Sequence, residues 1–245
     1  MTSPPGPGAP LAGRRPAGWF PGRLAGWFPG RPGGARSRTA PVESWGDAGT
    51  PWRRAEFVVL DLETTGLDLR RDEIVSFGAV VVRDGRAVAA TAVYGLVRPE
   101  RPVPPSAALV HALRPGDLAG APSLAERVPD LVDLLRGRVL VAHSAWVEQA
   151  FLARALAPAG LRPAALVVDT AALAREELVV RSERGEPQLE QVAAALRMPV
   201  HTRHHALGDA LTTATVFLAL VARLDARSPQ TVGTLTALSR RHPAR

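Results

Sequence analysis

Phe57-Val-Val-Leu-Asp61-Leu-Glu63-Thr-Thr-Gly66-Leu67 is the stretch on which the architecture turns. Phe57 to Leu60 is a short, β-branched apolar run, the pattern of a strand buried on both faces, and its exit delivers Asp61. Side chains two apart on a strand share a face, so Asp61 and Glu63 project together from the end of a buried element. Two neighbouring anions at an apolar edge repel one another and resist desolvation unless a proton or cation joins them. An isolated Asp-x-Glu pair is more often a solvated strand end. Here Thr64-Thr65-Gly66 follows, small hydroxyl residues and a glycine that let backbone approach a ligand, and this tilts the reading toward a site.

Working outward, Ile74 to Val82 and Ala87 to Val97 read as a hairpin around Asp84-Gly85. Ser123 with Glu126 forms a capping-box signature for a helix through Leu135. Val139 to Ala142 is a second buried strand followed by a helix from Trp146 to Leu156, and Leu166 to Val168 is a third strand ending at Asp169. Gln188 to Leu196 and His205 to Leu224 carry helical apolar spacing. A meander followed by alternating helices and strands predicts an α/β or α+β layer fold with a mixed sheet, α/β with flanking helices being the reading adopted.

Composition narrows the chemistry. The chain has 245 residues, 30 basic residues that are all Arg, and no Cys. Lysine Schiff bases, lysine phosphate loops, disulfides, thiolate zinc sites and cysteine nucleophiles are all excluded. A metal would be held by oxygen or imidazole, which favours hard cations such as Mg²⁺ or Mn²⁺. No stretch approaches the roughly 18 to 20 uninterrupted apolar residues of a membrane span, so no membrane partner and a cytoplasmic location are expected.

The formal charge of +7 is unevenly distributed. Residues 1–54 hold 11 of the 22 Gly, 10 of the 23 Pro and eight Arg against only Glu43 and Asp47, leaving the remainder close to neutral. This segment is expected to be a disordered arm. Within it Ala17-Gly-Trp-Phe-Pro-Gly-Arg23 recurs as Ala25-Gly-Trp-Phe-Pro-Gly-Arg31. Aromatics interleaved with Arg suit base stacking and phosphate neutralisation, but with only two copies a slipped duplication in an arm without a role is the preferred reading.

Two further clusters carry chemistry. His143-Ser-Ala-Trp-Val-Glu148 follows the second strand and places Glu148 in the first turn of a helix, where the dipole favours a carboxylate. Arg203-His204-His205-Ala-Leu-Gly-Asp209 enters the last long helix, and a histidine titrating near neutrality is suited to general-base work. Each alone is weak. Together they comprise four carboxylates and a histidine at strand exits and helix starts.

With these motifs the sequence resembles the DEDDh-type 3′→5′ exonucleases, the group containing the epsilon subunit of bacterial DNA polymerase III. The resemblance runs from about Glu56 to Arg223 and rests on Val58 to Leu67, on Arg203 to Asp209, and on the connecting Val168-Asp-Thr170 and Leu189-Glu-Gln segments. It implies a ribonuclease H-like mixed sheet, with residues 55–225 as the exonuclease domain and 226–245 as a short C-terminal tail. It also implies two divalent cations, Mg²⁺ or Mn²⁺, held by Asp61, Glu63, Asp209 and Glu148, with His204 as general base. Thr64, Thr65, Gly66, Leu67 and His143 would contact the substrate, Leu67 as an apolar surface against a base. The implied substrate is a single-stranded or frayed DNA 3′ end, with RNA open and nucleoside 5′-monophosphates as product.

The second motif departs from the family pattern His-Asn-x-x-Phe-Asp: Ser144, Val147 and Glu148 stand at the Asn, Phe and Asp positions. A carboxylate one methylene longer keeps the charge and alters the reach, and an active enzyme is expected. The alternative is a catalytically silent nucleic-acid-binding module of the same fold. A free-standing repair or turnover nuclease is expected in preference to a polymerase-tethered subunit, and a polymerase partner stays open.

Overall fold

The computed structural model describes residues 40–42, 47–163, 166–178 and 186–241. Ala40–Pro41 form the short strand β1, and a single 3-10 turn follows at Trp52–Arg54. The meander comprises β2 (Phe57–Thr64), β3 (Ile74–Arg83) and β4 (Arg86–Leu96). Two short helices, α1 (Pro105–His111) and α2 (Pro115–Leu118), lead to α3 (Leu124–Leu135), β5 (Val139–Ala142) and α4 (Trp146–Leu156). Then come β6 (Leu161–Arg162), β7 (Val167–Asp169), α5 (Thr170–Glu177), α6 (Leu189–Leu196), α7 (Ala206–Arg227) and α8 (Val232–Arg241).

Five strands form one sheet in the order β4-β3-β2-β5-β7. β2 pairs antiparallel with β3 and parallel with β5, which makes it the hinge between meander and crossover halves. The hairpin turns where Asp-Gly predicts it, with Asp84 at φ 53° and Gly85 at φ 71°, the left-handed pair that matches strand twist. Ser123 accepts from the Glu126 amide while Glu126 reaches back to the Ser123 amide, so the capping box forms.

The period of two along β2 divides the core. Phe57 and Val59 pack with Leu173, Phe217, Leu220 and Leu235 on the side of α5, α7 and α8. Val58, Leu60 and Leu62 pack with Leu131, Leu135, Phe151 and Leu152 on the side of α3 and α4. α7 is long and apolar enough by composition to cross a membrane, yet eleven of its residues are buried, Phe217 stacking obliquely on Phe57 with centroids 5.0 Å apart.

Two boundaries expected from sequence are corrected. Arg54 does not begin the folded chain: β1 pairs with β6, Val42 is buried, and Trp52 is 3% exposed in the α7-side core. Residues 1–39 and 43–46 of the expected arm, including the tandem repeat, lie outside the described residues. The stretch after Leu224 is no tail. The amides of Val232 and Gly233 donate to the carbonyls of Thr50 and Ala48, and Trp52 donates to Gln230, so the two ends of the fold are bonded together. Val232 and Leu235 of α8 are fully buried. This Thr- and Gly-rich helix has weak propensity of its own and forms where its apolar stripe meets the sheet, with Thr231 and Thr234 exchanging amide-to-hydroxyl bonds at its start.

Candidate active site

By alternation Asp61 and Glu63 leave β2 on the face covered by α7. A register shift between Glu63 and Thr64 interrupts the ladder just before its last pair, Thr64 with Ile74, the kind of irregularity that re-aims side chains beside a site. α7 brings Asp209 down in its first turn. It can approach this closely because β3 carries Gly78 beneath it: a Cβ there would lie 2.1 Å from the Leu207 amide nitrogen and 2.2 Å from the Ala206 carbonyl carbon. Oxygen atoms of Asp61, Glu63 and Asp209 consequently lie within 4.8 Å of one another.

Glu148 reaches the same place from the opposite layer. β5 ends beside β2, Ser144 turns the chain with a φ of 59°, and the first turn of α4 buries the Glu148 carboxylate to 4% exposure. Its Oε2 has no hydrogen-bond partner. Burial first, and then the charges of Asp169 and Glu63, push its pKa up to about 8. Asp61 is raised well above the ordinary carboxylate range by burial and by the neighbouring Glu148, Glu63 and Asp209, and Glu63 is raised to about 7 by burial and Asp209. Asp209 is raised by burial against the opposing pull of the His204 amide, which donates to its Oδ2 at 2.8 Å.

Three carboxylates held this close, with the buried Glu148 carboxylate and its orphaned oxygen beside them, are a donor set that suits hard divalent cations. The residues fit the ions that the motifs imply. A cavity of about 650 Å³ lies elsewhere, among Arg54, Arg83, Arg136 and Arg138 at the far end of the sheet, and none of these carboxylates lines it.

His204 stands at the mouth of the cluster, exposed, with a left-handed φ of 52°. Its neighbour His205, without an expected role, caps α7: its Nδ1 accepts from the Gly208 amide at 3.4 Å, and its ring stacks on Tyr94 with centroids 4.3 Å apart.

Several expected substrate contacts have other duties. Thr65 is buried, donating to Asp72 Oδ1 at 2.8 Å and accepting from the Glu73 amide at 3.0 Å, so its hydroxyl closes the 65–73 loop. Gly66 gives room to that same Asp72, whose Oδ2 would lie 2.4 Å from a Cβ. Thr64 donates to the Gly66 carbonyl at 2.6 Å. Arg154 of α4 donates to the carbonyls of Leu69 and Asp72, tying down the loop from which Leu67 stands 69% exposed.

His143 has both ring nitrogens engaged, Nε2 with the Pro187 carbonyl at 2.8 Å and Nδ1 with the Thr170 hydroxyl at 2.9 Å. A carbonyl only accepts, so Nε2 carries the proton; burial lowers the His143 pKa and leaves Nδ1 as acceptor. His143 thus joins β5 to α5 and to the approach to α6. Asp169, which sequence reading left outside the site, supports it: Oδ1 accepts from the Ser144 and Ala171 amides at 3.0 and 2.9 Å, fixing the turn that presents Glu148. The signal for Asp169 was available, since it too is an acid at a buried strand exit.

The fold and the carboxylate cluster define a ribonuclease H-like sheet with an acidic centre whose donors suit a metal ion. The chain belongs to the exonuclease family, whose profile matches residues 58–217. It is 37% identical over 198 residues to a DNA polymerase III subunit epsilon-like protein of Rhodobacter capsulatus, covering 80% of this chain and 28% of that one. It is 30% identical over 167 residues to the DNA polymerase III subunit epsilon of Treponema pallidum, covering 68% of this chain and 76% of that one. Among solved structures, exonuclease X in complex with 5′-overhanging duplex DNA has a TM-score of 0.59 at 23% identity, covering 75% of this chain and 99% of that one.

Proposed function

We propose that the chain is a divalent-metal-dependent 3′→5′ exonuclease that removes nucleotides from single-stranded or frayed DNA ends and releases nucleoside 5′-monophosphates. The observation that carries this reading is the convergence of Asp61, Glu63 and Asp209 within 4.8 Å, with the buried Glu148 carboxylate, whose Oε2 has no partner, adding its charge beside Asp61. Membership of the exonuclease family and the polymerase III relatives support the substrate class.

Asp61, Glu63, Asp209 and Glu148 would hold Mg²⁺ or Mn²⁺. When bound, the ions supply positive charge that offsets the negative charge developing on the attacking and leaving oxygens of a phosphodiester. His204, exposed beside Asp209, takes the proton of the attacking water. The Thr65, Asp72 and Arg154 network holds the loop that displays Leu67, an apolar surface at the rim against which a terminal base can lie. Glu148 meets the need for a fourth carboxylate from a first helical turn held by Asp169, which supports an active centre over a silent one.

The test is shortening of a 5′-labelled oligonucleotide in Mg²⁺ or Mn²⁺, with matched DNA and RNA strands. Progressive loss from the 3′ end of DNA is expected, abolished by chelation and reduced at least about 10²-fold in Asp61→Ala. Metal-independent shortening, or shortening that survives Asp61→Ala, would overturn the reading.

A further inference from the structure

Strand register places Asp61 opposite Gly78, and Gly78 opposite Tyr94. Directly paired residues share a face, so β2, β3 and β4 present a row under α7: a carboxylate, a bare backbone and a phenol ring. The start of α7 rests on the bare position, touching Gly78 through Ala206 and Leu207. On one side of this seat Asp209 meets Asp61 and Glu63; on the other, His205 stacks on Tyr94 at 4.3 Å with 23° between the rings. His204 immediately precedes His205 in the turn that leads into α7, and its amide is bonded to Asp209.

On the cluster side that turn is held by the His204 amide, which donates to Asp209 Oδ2 at 2.8 Å. His204 occupies the left-handed region, which a residue with a Cβ adopts at a cost and keeps only when its surroundings hold it. The helix cap from His205 Nδ1 is long at 3.4 Å. Upstream, the 2.7 Å bond from Arg203 Nε to Glu190 Oε1 joins an exposed guanidinium to a partly exposed carboxylate, a class of ion pair that contributes little. The ring stack is the contact that restrains the turn from the Tyr94 side, away from the bond to Asp209.

We propose that Tyr94 and His205 are positioning residues for His204: their stack orients the turn so that the His204 imidazole faces the carboxylate cluster. The catalytic part of this inference rests on His204 acting as general base. A shift of about 1 Å in a reacting group can cost on the order of 10²-fold in rate, so a slack turn acts on turnover rather than on substrate affinity.

The experiment compares Tyr94→Leu with Tyr94→Phe, each in the otherwise unchanged full chain and in His204→Ala, using a DNA oligonucleotide with Mn²⁺. Tyr94→Leu is expected to lower kcat by roughly tenfold to a hundredfold with KM within about twofold, and Tyr94→Phe, which keeps the ring, to retain most of the rate. In His204→Ala the same Tyr94→Leu change is expected to cost under about twofold, because the group it positions is gone. Amide exchange supplies a readout independent of turnover: the His204 N–H should exchange faster in Tyr94→Leu than in Tyr94→Phe.

Equal losses in both backgrounds, a loss carried by KM, loss of rate in Tyr94→Phe, or unchanged exchange would each overturn the proposal. If the unchanged chain hydrolyses no oligonucleotide, the exonuclease reading fails, while the exchange comparison still decides whether the stack holds the turn. Should Tyr94→Leu fail to fold, His205→Asn, which keeps a capping acceptor and removes the ring, takes its place in the same measurements.

Discussion

Glu148 and Glu63 show what a single residue can carry into a fold at a cost to it. Both carboxylates titrate far above an ordinary Glu, near 8 and near 7, because burial and neighbouring anions disfavour their charge. A folded-state pKa above the unfolded value means that the native state holds its protons more tightly. Below about pH 4 both states are protonated and nothing is lost. As pH climbs from there toward 8 the unfolded chain ionises first, and native stability falls by linkage. Metal-free protein in EDTA should therefore melt lower at pH 8 than at pH 5. Mn²⁺ should raise the midpoint more at pH 8, and Glu148→Gln should flatten the decline. Thermal scans at the two pH values check all three, and midpoints indifferent to both pH and metal would count against the site. That Glu148 is a candidate fourth acid was legible from its place in a first helical turn. That its Oε2 is buried without a partner was not, since this depends on which groups the other elements bring beside it.

Among the elements, α7 and β3 meet at the contact on which the site depends. Apolar spacing identifies α7, and its composition alone would equally suit a membrane span; only the sheet beneath it shows where its apolar face goes. Gly78 reads in sequence as an unremarkable glycine within a strand, yet a methyl group there would overlap the backbone of Ala206 and Leu207. Because backbone cannot swing aside as a side chain does, Gly78→Ala should destabilise the fold by about 3 kcal/mol, the upper end of overpacking penalties, as measured by urea unfolding. A cost below about 0.5 kcal/mol would show that α7 is free to ride up. By contrast β2, β5 and α3 were legible, being an unbroken apolar run, a second such run and a helix with its own capping box. α1, α2 and α8 escaped because they are short, and Pro, Gly or Thr at their starts obscures their periodicity.

At the scale of the whole molecule, the segment from Ala48 to Trp52 and the start of α8 are hydrogen-bonded to each other across the far side of the fold. α8 also reaches the site indirectly, since Ser239 Oγ accepts from the Asp169 amide at 2.9 Å. Removing residues 229–245 would expose the pocket filled by Val232 and Leu235. At about 1.5 to 3 kcal/mol for each buried side chain, the loss is about 3 to 6 kcal/mol, a large share of the stability of an ordinary domain. Such a truncated chain is expected to unfold at least about 10 °C lower in a thermal melt; an unchanged midpoint would return these residues to the status of a tail.

The chemistry of this protein was written locally. Asp61-x-Glu63 at a buried strand exit, Glu148 in a first helical turn, His204 five residues before Asp209, and the absence of Cys and Lys point to hard cations from residue type and spacing alone. Period and strand-exit position are properties of a few consecutive residues, so they survive without knowledge of the fold. The tertiary structure decided which polar groups were left for chemistry once the rest had satisfied one another: Thr65, Gly66 and His143 are spent on holding loops, and Asp169 supports the turn before Glu148. It also decided that His205, next to His204, stacks on Tyr94 beside the close approach at Gly78. These assignments depend on contacts between residues distant in sequence, where close packing and hydrogen-bond satisfaction, rather than local pattern, select a side chain's role.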